Sequence, residues 1–310
     1  MVELKICLVG FGNIARKYLR IIENISDEYN LKCEIDIIRS GNSLHQECPE
    51  KYKVITHEDK ANYSEYDLVF IISTYPIKIL HLKQFLKSKT IFIDKPVFTN
   101  VKEEKSILKN IDHKYYDKIF VGYCLRHHSK FIESLKLFKE KKSEVKEVKI
   151  TYLTNMKNWR KEIDFEKSAG GKEFFNGGGA ANELSHEIDL LFNFFDDYKN
   201  NLIKIETKWN YILNHDKSFK LYTYFKGIKY IANVDTYTNS NCRNIKITTD
   251  NGIYLFNLFL DKDIDHMYKD MILNLFLKAI DKKNNLNLPK IYQLDKITQT
   301  IEKIHKNHIN

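Results

Sequence analysis

Three stretches of this sequence set reactive residue types at spacings that chemistry can use. The segment Gly177-Gly178-Gly179-Ala180-Ala181-Asn182-Glu183-Leu184-Ser185-His186-Glu187-Ile188-Asp189 reads as one helix, from about Ala180 to Phe195, opened by three glycines. On such a helix Glu183 lies one turn from His186, and His186 one turn from Asp189. A carboxylate beside an imidazole can move a proton near neutral pH, because His titrates there. The competing reading is a solvated helix face with one buried His. No second His follows His186 at zinc-site spacing, so no metal is expected.

Asp94-Lys95-Pro96 follows directly on the apolar run Thr90 to Ile93. That run reads as a strand, so Lys95 emerges at the carboxyl edge of a sheet, where ligands of open α/β folds bind. A partly desolvated Lys can polarise an oxygen or relay a proton, although Lys-Pro in a loop is also compatible with plain exposure. The third stretch, Gly10-Phe11-Gly12-Asn13-Ile14-Ala15, stands between the strand Leu4 to Val9 and the helix Ile14 to Ile25. In that context Gly10 permits a tight turn, Gly12 lets a pyrophosphate approach the backbone, and Ala15 allows close helix packing. The amides of the helix start supply the anion site. The plain alternative is an ordinary strand-to-helix turn.

The second strand, Lys32 to Ile38, runs into Arg39-Ser40 where a protein selecting NAD usually carries an acidic residue for the ribose hydroxyls. Asp36 lies earlier and on an alternating face. Arg39 and Ser40 suit a 2'-phosphate, so NADP is favoured over NAD.

These motifs need elements to hold them. Strand Leu68 to Ile72, helix Ile77 to Lys87, strand Thr90 to Ile93, helix Lys102 to Asn110 and strand Ile119 to Gly122 continue a βαβ alternation, which implies a parallel, doubly wound sheet. After Gly122 the rhythm changes to helix Lys130 to Lys139, strand Val145 to Thr154 and an irregular polar stretch. Strands follow at Ile203 to Leu213, Phe219 to Phe225, Lys229 to Tyr237, Asn244 to Thr249 and Ile253 to Leu260. Turns at Lys226-Gly227 and Asp250-Asn251-Gly252 mark hairpins, hence a mainly antiparallel sheet. Helices Met267 to Lys282 and Leu294 to Asn307 close the chain.

At 310 residues there is room for two domains of roughly 100 to 200 residues each. Apolar residues at 43% and charged residues at 29%, with only 4 Pro, describe a packed globular protein rather than a disordered one. The net charge of +9 is spread among matched Glu and Asp, which argues against a nucleic-acid groove. Five Cys without a Cys-x-x-Cys pair favour a reducing compartment. No apolar run approaches the length of about 20 needed to span a bilayer, so a cytoplasmic protein is expected.

Together the motifs resemble the glucose-fructose oxidoreductase, inositol dehydrogenase and rhizopine catabolism family, Gfo/Idh/MocA. The resemblance extends over the glycine turn, Ser73-Thr74-Tyr75-Pro76 with His81 after it, Asp94-Lys95-Pro96, Gly122-Tyr123-Cys124-Leu125-Arg126 and the glycine-to-Asp189 segment. The family usually has Glu-Lys-Pro where this chain has Asp94-Lys95-Pro96. It commonly has an Asp four residues before its His, where this chain has Glu183 three before His186. Asn158-Trp159-Arg160 followed by Asp164 is similar to a branch associated with bacterial surface-sugar pathways. The resemblance implies NAD(P) held by Gly10, Gly12, Asn13, Ile14, Ala15, Arg39, Ser40, Ser73, Thr74, Tyr75, Asp94 and Lys95. It also implies a sugar, activated sugar or acidic sugar near Lys95, Arg126, Trp159, Arg160, Glu183, His186 and Asp189. For Arg126 and Arg160 a structural ion pair is the alternative.

The expectation is a Rossmann domain at 1–122, an α/β domain on a mainly antiparallel sheet at 123–310, and a site in the cleft between them. Hydride passes between a sugar carbon and the nicotinamide while His186 transfers the hydroxyl proton, Lys95 stabilises the oxygen, and Glu183 and Asp189 orient the His or the substrate. Two other classes stay open: a dinucleotide-binding sensor or scaffold without turnover, and lyase or hydrolase chemistry through transient redox of a bound cofactor. A homodimer or homotetramer through the second sheet is expected, because Trp209, Tyr211, Tyr222 and Tyr224 call for a covered outer face. A core role for those aromatics is the alternative.

Overall fold

The structure, a computed structural model, describes residues 2–39, 48–56, 66–159, 164–195, 203–259, 261–280 and 286–308. In chain order the elements are β1 (Glu3–Val9), α1 (Asn13–Glu28), β2 (Lys32–Arg39), β3 (Lys53–Thr56), β4 (Leu68–Ile71), α2 (Ile77–Gln84), β5 (Thr90–Ile93), α3 (Val101–Lys109) and β6 (Ile119–Val121). There follow α4 (Ser129–Glu140), β7 (Val145–Asn155), α5 (Ala180–Glu183), α6 (Ser185–Phe192), β8 (Lys204–Asn210), β9 (His215–Phe225), β10 (Ile228–Asp235), β11 (Tyr237–Thr249), β12 (Gly252–Asn257), α7 (Asp261–Ile280) and α8 (Asp295–Lys306). Two compact units result. The first comprises Met1–Val97, Ser106–Cys124 and Tyr268–Leu294, the second Phe98–Lys105, Leu125–Met267 and Asp295–Asn310.

The first unit is a six-stranded parallel sheet in the order β3-β2-β1-β4-β5-β6. The order reverses between β1 and β4, the switch point at which doubly wound sheets open a crevice. Every residue of β4 and β5 is buried, as strands covered on both faces must be. Register sets Val9 beside Ile71 and Ile71 beside Ile93, so the chain leaves the sheet at one edge after all three. The short edge strand β3 is not foreseen from the sequence. Only Ile55 among its four residues is buried, so no alternation shows.

The second unit is a six-stranded sheet in the order β12-β11-β7-β10-β9-β8, antiparallel except where β7 meets β10. That pair is parallel because its connection runs through α5, α6, β8 and β9 instead of a tight turn. Both predicted hairpins form. Lys226 and Gly227 turn β9 into β10 with φ of 49° and 78°, the left-handed pair that matches strand twist.

Val148, Ile150, Ala232, Val234, Ile245 and Ile247 point to one face and are fully buried. The helices lie on this unit's sheet: α4 on β11 and β12, α6 on β7 and β10, α8 on β8 and β9. Ile253, Leu255 and Tyr224 stay two-thirds exposed. Trp209 departs from the expected outward face. It is buried, with Phe174 at 6.1 Å and His305 at 5.2 Å between ring centroids and His308 stacked on it, so it belongs to the core beneath α8. Among the described residues no helix is long and apolar enough to cross a membrane.

Candidate functional site

At the carboxyl edge of the first sheet Gly10 takes φ 94°, and its N–H donates to Ile38 O at 2.8 Å. A Cβ there would lie 2.8 Å from Ser73 N, so glycine is required both by backbone angle and by the close approach of the loop after β4. Gly12, at the N-cap of α1, is different: a Cβ would meet nothing within 4 Å. No side chain caps α1, and its first turn carries no acidic residue. Its first amides therefore carry no side-chain cap, and the backbone at Gly12 is open to close approach. Asn13 is exposed, Ile14 half-buried and Ala15 fully buried against the sheet.

Asp36 does not replace the missing ribose acceptor. Its side chain is buried and accepts a 2.6 Å hydrogen bond from the Tyr66 hydroxyl, whose own pKa is pushed up by burial and by that carboxylate. Arg39 is half-buried and Nη1 donates to Cys48 Sγ at 3.3 Å. Ser40 lies outside the described residues.

Ser73 Oγ is hydrogen-bonded to His81 Nδ1 at 2.8 Å, which holds the start of the Ser73-Thr74-Tyr75 loop; Thr74 is exposed and Tyr75 buried. The Asp94-Lys95-Pro96 loop has an anchor that sequence reasoning missed. Lys78 on α2 is buried, and its ammonium donates to Asp94 O at 2.8 Å and Lys95 O at 3.2 Å. A buried ammonium is tolerable only when its protons are used, so the two carbonyls are held in place by the need to satisfy it. Its signal in the sequence was a charged residue beside Ile79 and Leu82 on the buried side of the helix. Lys95 itself is half-buried.

In the second unit the glycine-led segment is a tightly packed corner. A Cβ on Gly178 would sit 1.7 Å from Lys172 O, and Gly179 has φ 88°. Buried Asn182 donates to Phe174 O at 2.9 Å and Gly178 O at 2.8 Å, tying the corner to the preceding loop. The expected single helix breaks at Leu184, with φ −112° and ψ 30°, so Glu183 ends α5 and His186 is the second residue of α6. The one-turn relation read from an unbroken helix is replaced by a relation across a bend.

Glu183 lines a pocket with Met156, Lys157, Trp159, Phe165, Ser168 and Gly170. Trp159 is 43% exposed, its ring stacked on Tyr152 at 18° and its Nε1 fixed by a 2.9 Å bond to Thr154 Oγ1. Beneath it Arg243 lies 4.4 Å over the Tyr152 ring and donates from Nε to Glu187 Oε1 at 2.7 Å, so a buried ion pair supports the same wall. Arg243 was not foreseen; nothing in its local pattern distinguishes it from an exposed strand arginine.

Asp189 faces Arg126. The guanidinium donates from Nε to Oδ2 at 2.9 Å and from Nη2 to Oδ1 at 2.5 Å. Of the two readings of Arg126, the structural ion pair is the one present, and Asp189 is committed to it rather than to His186. Arg160 lies outside the described residues. Among those described, no group of three His, Cys, Asp or Glu could hold a metal.

Residues 4–123 match the profile of an oxidoreductase family, Gfo/Idh/MocA, with an NAD-binding Rossmann fold. No curated protein matches the chain. Its fold over nearly its whole length is that of several solved dehydrogenases. A levoglucosan dehydrogenase in complex with NADH and levoglucosan is 13% identical, with TM-score 0.78 over 98% of each chain. A myo-inositol dehydrogenase from Corynebacterium glutamicum is 12% identical, with TM-score 0.77 over 98% of this chain and 96% of that one. The WlbA dehydrogenase from Bordetella pertussis, in complex with NADH and UDP-GlcNAcA, is 14% identical, with TM-score 0.72 over 99% and 96%.

Proposed function

We propose that the protein is an NAD(P)-dependent oxidoreductase that moves a hydride between the cofactor and a hydroxyl-bearing carbon of a sugar, nucleotide-sugar or sugar acid. The observation that carries this reading is that the chain combines a stretch matching an NAD-binding oxidoreductase profile with a second unit in which the acidic candidate Glu183 lines a pocket with Trp159 and Phe165. When bound, the nicotinamide accepts or returns the hydride. Gly10, Gly12, Asn13 and the amides of Ile14 and Ala15 hold the pyrophosphate, while Ser73, Thr74, Tyr75 and Asp94 shape the same sheet edge. Arg39 and Ser40 favour the 2'-phosphate of NADP.

His186 takes or returns the hydroxyl proton, Lys95 donates to the oxygen as its charge changes, and Glu183 orients the sugar. The exposed ring of Trp159 offers a platform for the apolar face of a pyranose. Arg160 remains a candidate for an anionic substituent, and Asp189 acts through Arg126 on the placement of α6.

A panel of free sugars, sugar acids and nucleotide-sugars, each assayed with both cofactors at the absorbance of the reduced nicotinamide, tests the reading. Turnover of at least one class is expected, with NADP preferred. Replacing Arg39 by Asp is expected to move the preference toward NAD by about tenfold or more, the effect of exchanging an attractive for a repulsive charge at the ribose. An unmoved preference removes Arg39 from the cofactor site; cofactor binding without turnover of any sugar favours the sensor reading.

The open face of the second sheet, with Ile253, Leu255 and Tyr224 exposed, is proposed to pair with a second copy of the chain. Leu255→Asp should then yield monomers in sedimentation. A wild-type monomer at micromolar concentration sinks the idea.

A further inference from the structure

We propose that Asp216 is a positioning residue for the proton-transfer segment: from β9 its carboxylate fixes the start of α5 and so sets where Glu183 and His186 stand. The inference rests on the reading above only for the roles of those two side chains.

The geometry starts from a helix that cannot hold itself. α5 has four residues, no side-chain cap of its own, and ends at the Leu184 bend. One helical turn in isolation is unstable, because nucleation fixes several backbone angles for each hydrogen bond made. Its anchor comes from 35 residues away: Asp216 Oδ2 accepts the Ala181 N–H at 2.8 Å, doing for α5 what an N-cap does. Gly179 lets the two meet. A Cβ there would sit 2.4 Å from Asp216 Oδ1 and 3.0 Å from His215 Cβ, so only a glycine allows the backbone to rest against the carboxylate. This gives the third glycine of the triplet a specific task.

Asp216 is fully buried, and its Oδ1 has no hydrogen-bond partner among the described residues. A carboxyl group in that position is a costly way to cap a helix, which a neutral Asn could do. Burial pushes its pKa up to about 7, against the N–H bonds from Ala181 and from its own amide. The titratable groups around it are His215 on its own strand, pushed down by burial; Tyr237 on β11, whose phenol is raised by burial and by Asp216; and Glu183 on the helix it caps. Lys217 follows it along β9.

A carboxyl group whose folded pKa is raised costs stability when it ionises, so this contribution is present below about pH 4 and lost as pH rises through about 7. The ionised form nevertheless makes the stronger bond to the Ala181 amide, because charge-assisted hydrogen bonds exceed neutral ones. Order in α5 therefore rises as the pH passes about 7, where the decline in global stability that began near pH 4 levels off.

The experiment uses the full chain free in solution. Hydrogen exchange of residues 179–186, corrected for intrinsic rates, and thermal stability are followed from pH 5.5 to 8.5 for wild type, Asp216→Asn and Asp216→Ala. Wild type is expected to gain protection in this segment above about pH 7. Asp216→Asn should fold, lose that gain, and lose the decline in stability. Asp216→Ala should lower protection about tenfold or more, the size expected when a charged acceptor is removed from a buried N–H. The same protection profile in wild type and Asp216→Asn overturns the inference. With any sugar turned over in the panel, Asp216→Asn should lower kcat above pH 7 with KM unchanged, and an unaltered pH profile also overturns it. Full turnover in His186→Ala would overturn the assignment of His186, and exchange would still decide whether Asp216 holds the segment.

Discussion

Replacing His186 by Ala is expected to lower kcat by roughly 10²- to 10⁴-fold, the usual contribution of one general acid or base, with NAD(P) binding unchanged. That loss corresponds to about 3 to 5 kcal/mol of transition-state stabilisation at 1.36 kcal/mol for each factor of ten. It should appear in kcat and kcat/KM together, because the proton moves only as the reaction proceeds. Lys95→Ala should act on the same step from the oxygen side, with a loss of similar order. The two losses need not add, since both residues stabilise one developing charge. Cofactor binding, measured by fluorescence of the reduced nicotinamide, separates a chemical defect from an unfolded one. Turnover at wild-type level in both variants would remove the assignment and leave the pocket at Glu183 without a proton-transfer partner.

The two sheets were legible because their signals are local. The run Leu68 to Ile71 and the pair Lys226-Gly227 announce a buried strand and a left-handed turn without reference to distant chain. Gly10 was legible for the same reason. What escaped were the partners that polar side chains find across the fold. Lys78 looks like an error on the buried side of a helix until two loop carbonyls are seen to receive it. Asp189 appears to serve His186 by spacing, and the structure gives it to Arg126. Glu183 and His186 read as one helical face because no Pro or internal Gly interrupts them, yet the chain bends at Leu184. Asp216, at the start of a strand, carries no mark that distinguishes it from a turn residue. Long-range polar pairing leaves little trace in periodicity, and it is what sets the geometry of this segment.

The ion pair of Arg126 and Asp189 offers the second large effect. The Asp189 side chain is 1% exposed and that of Arg126 18%, so the carboxylate depends on the guanidinium for its compensation. Arg126→Ala is expected to cost about 3 to 5 kcal/mol of stability, the price of leaving a buried charge alone, read from the urea midpoint at constant slope. Replacing both by Leu should restore most of the loss, because well-packed apolar side chains often match a buried pair. A cost below about 1 kcal/mol for Arg126→Ala would place the pair with exposed surface bridges and deny it this role. Function separates the double variant from wild type. Asp189 lies one turn beyond His186 on α6, so the pair fixes the rotation of that helix as well as neutralising its charge. The Leu pair should therefore recover stability while kcat stays depressed, and full recovery of both would confine Arg126 and Asp189 to holding the fold.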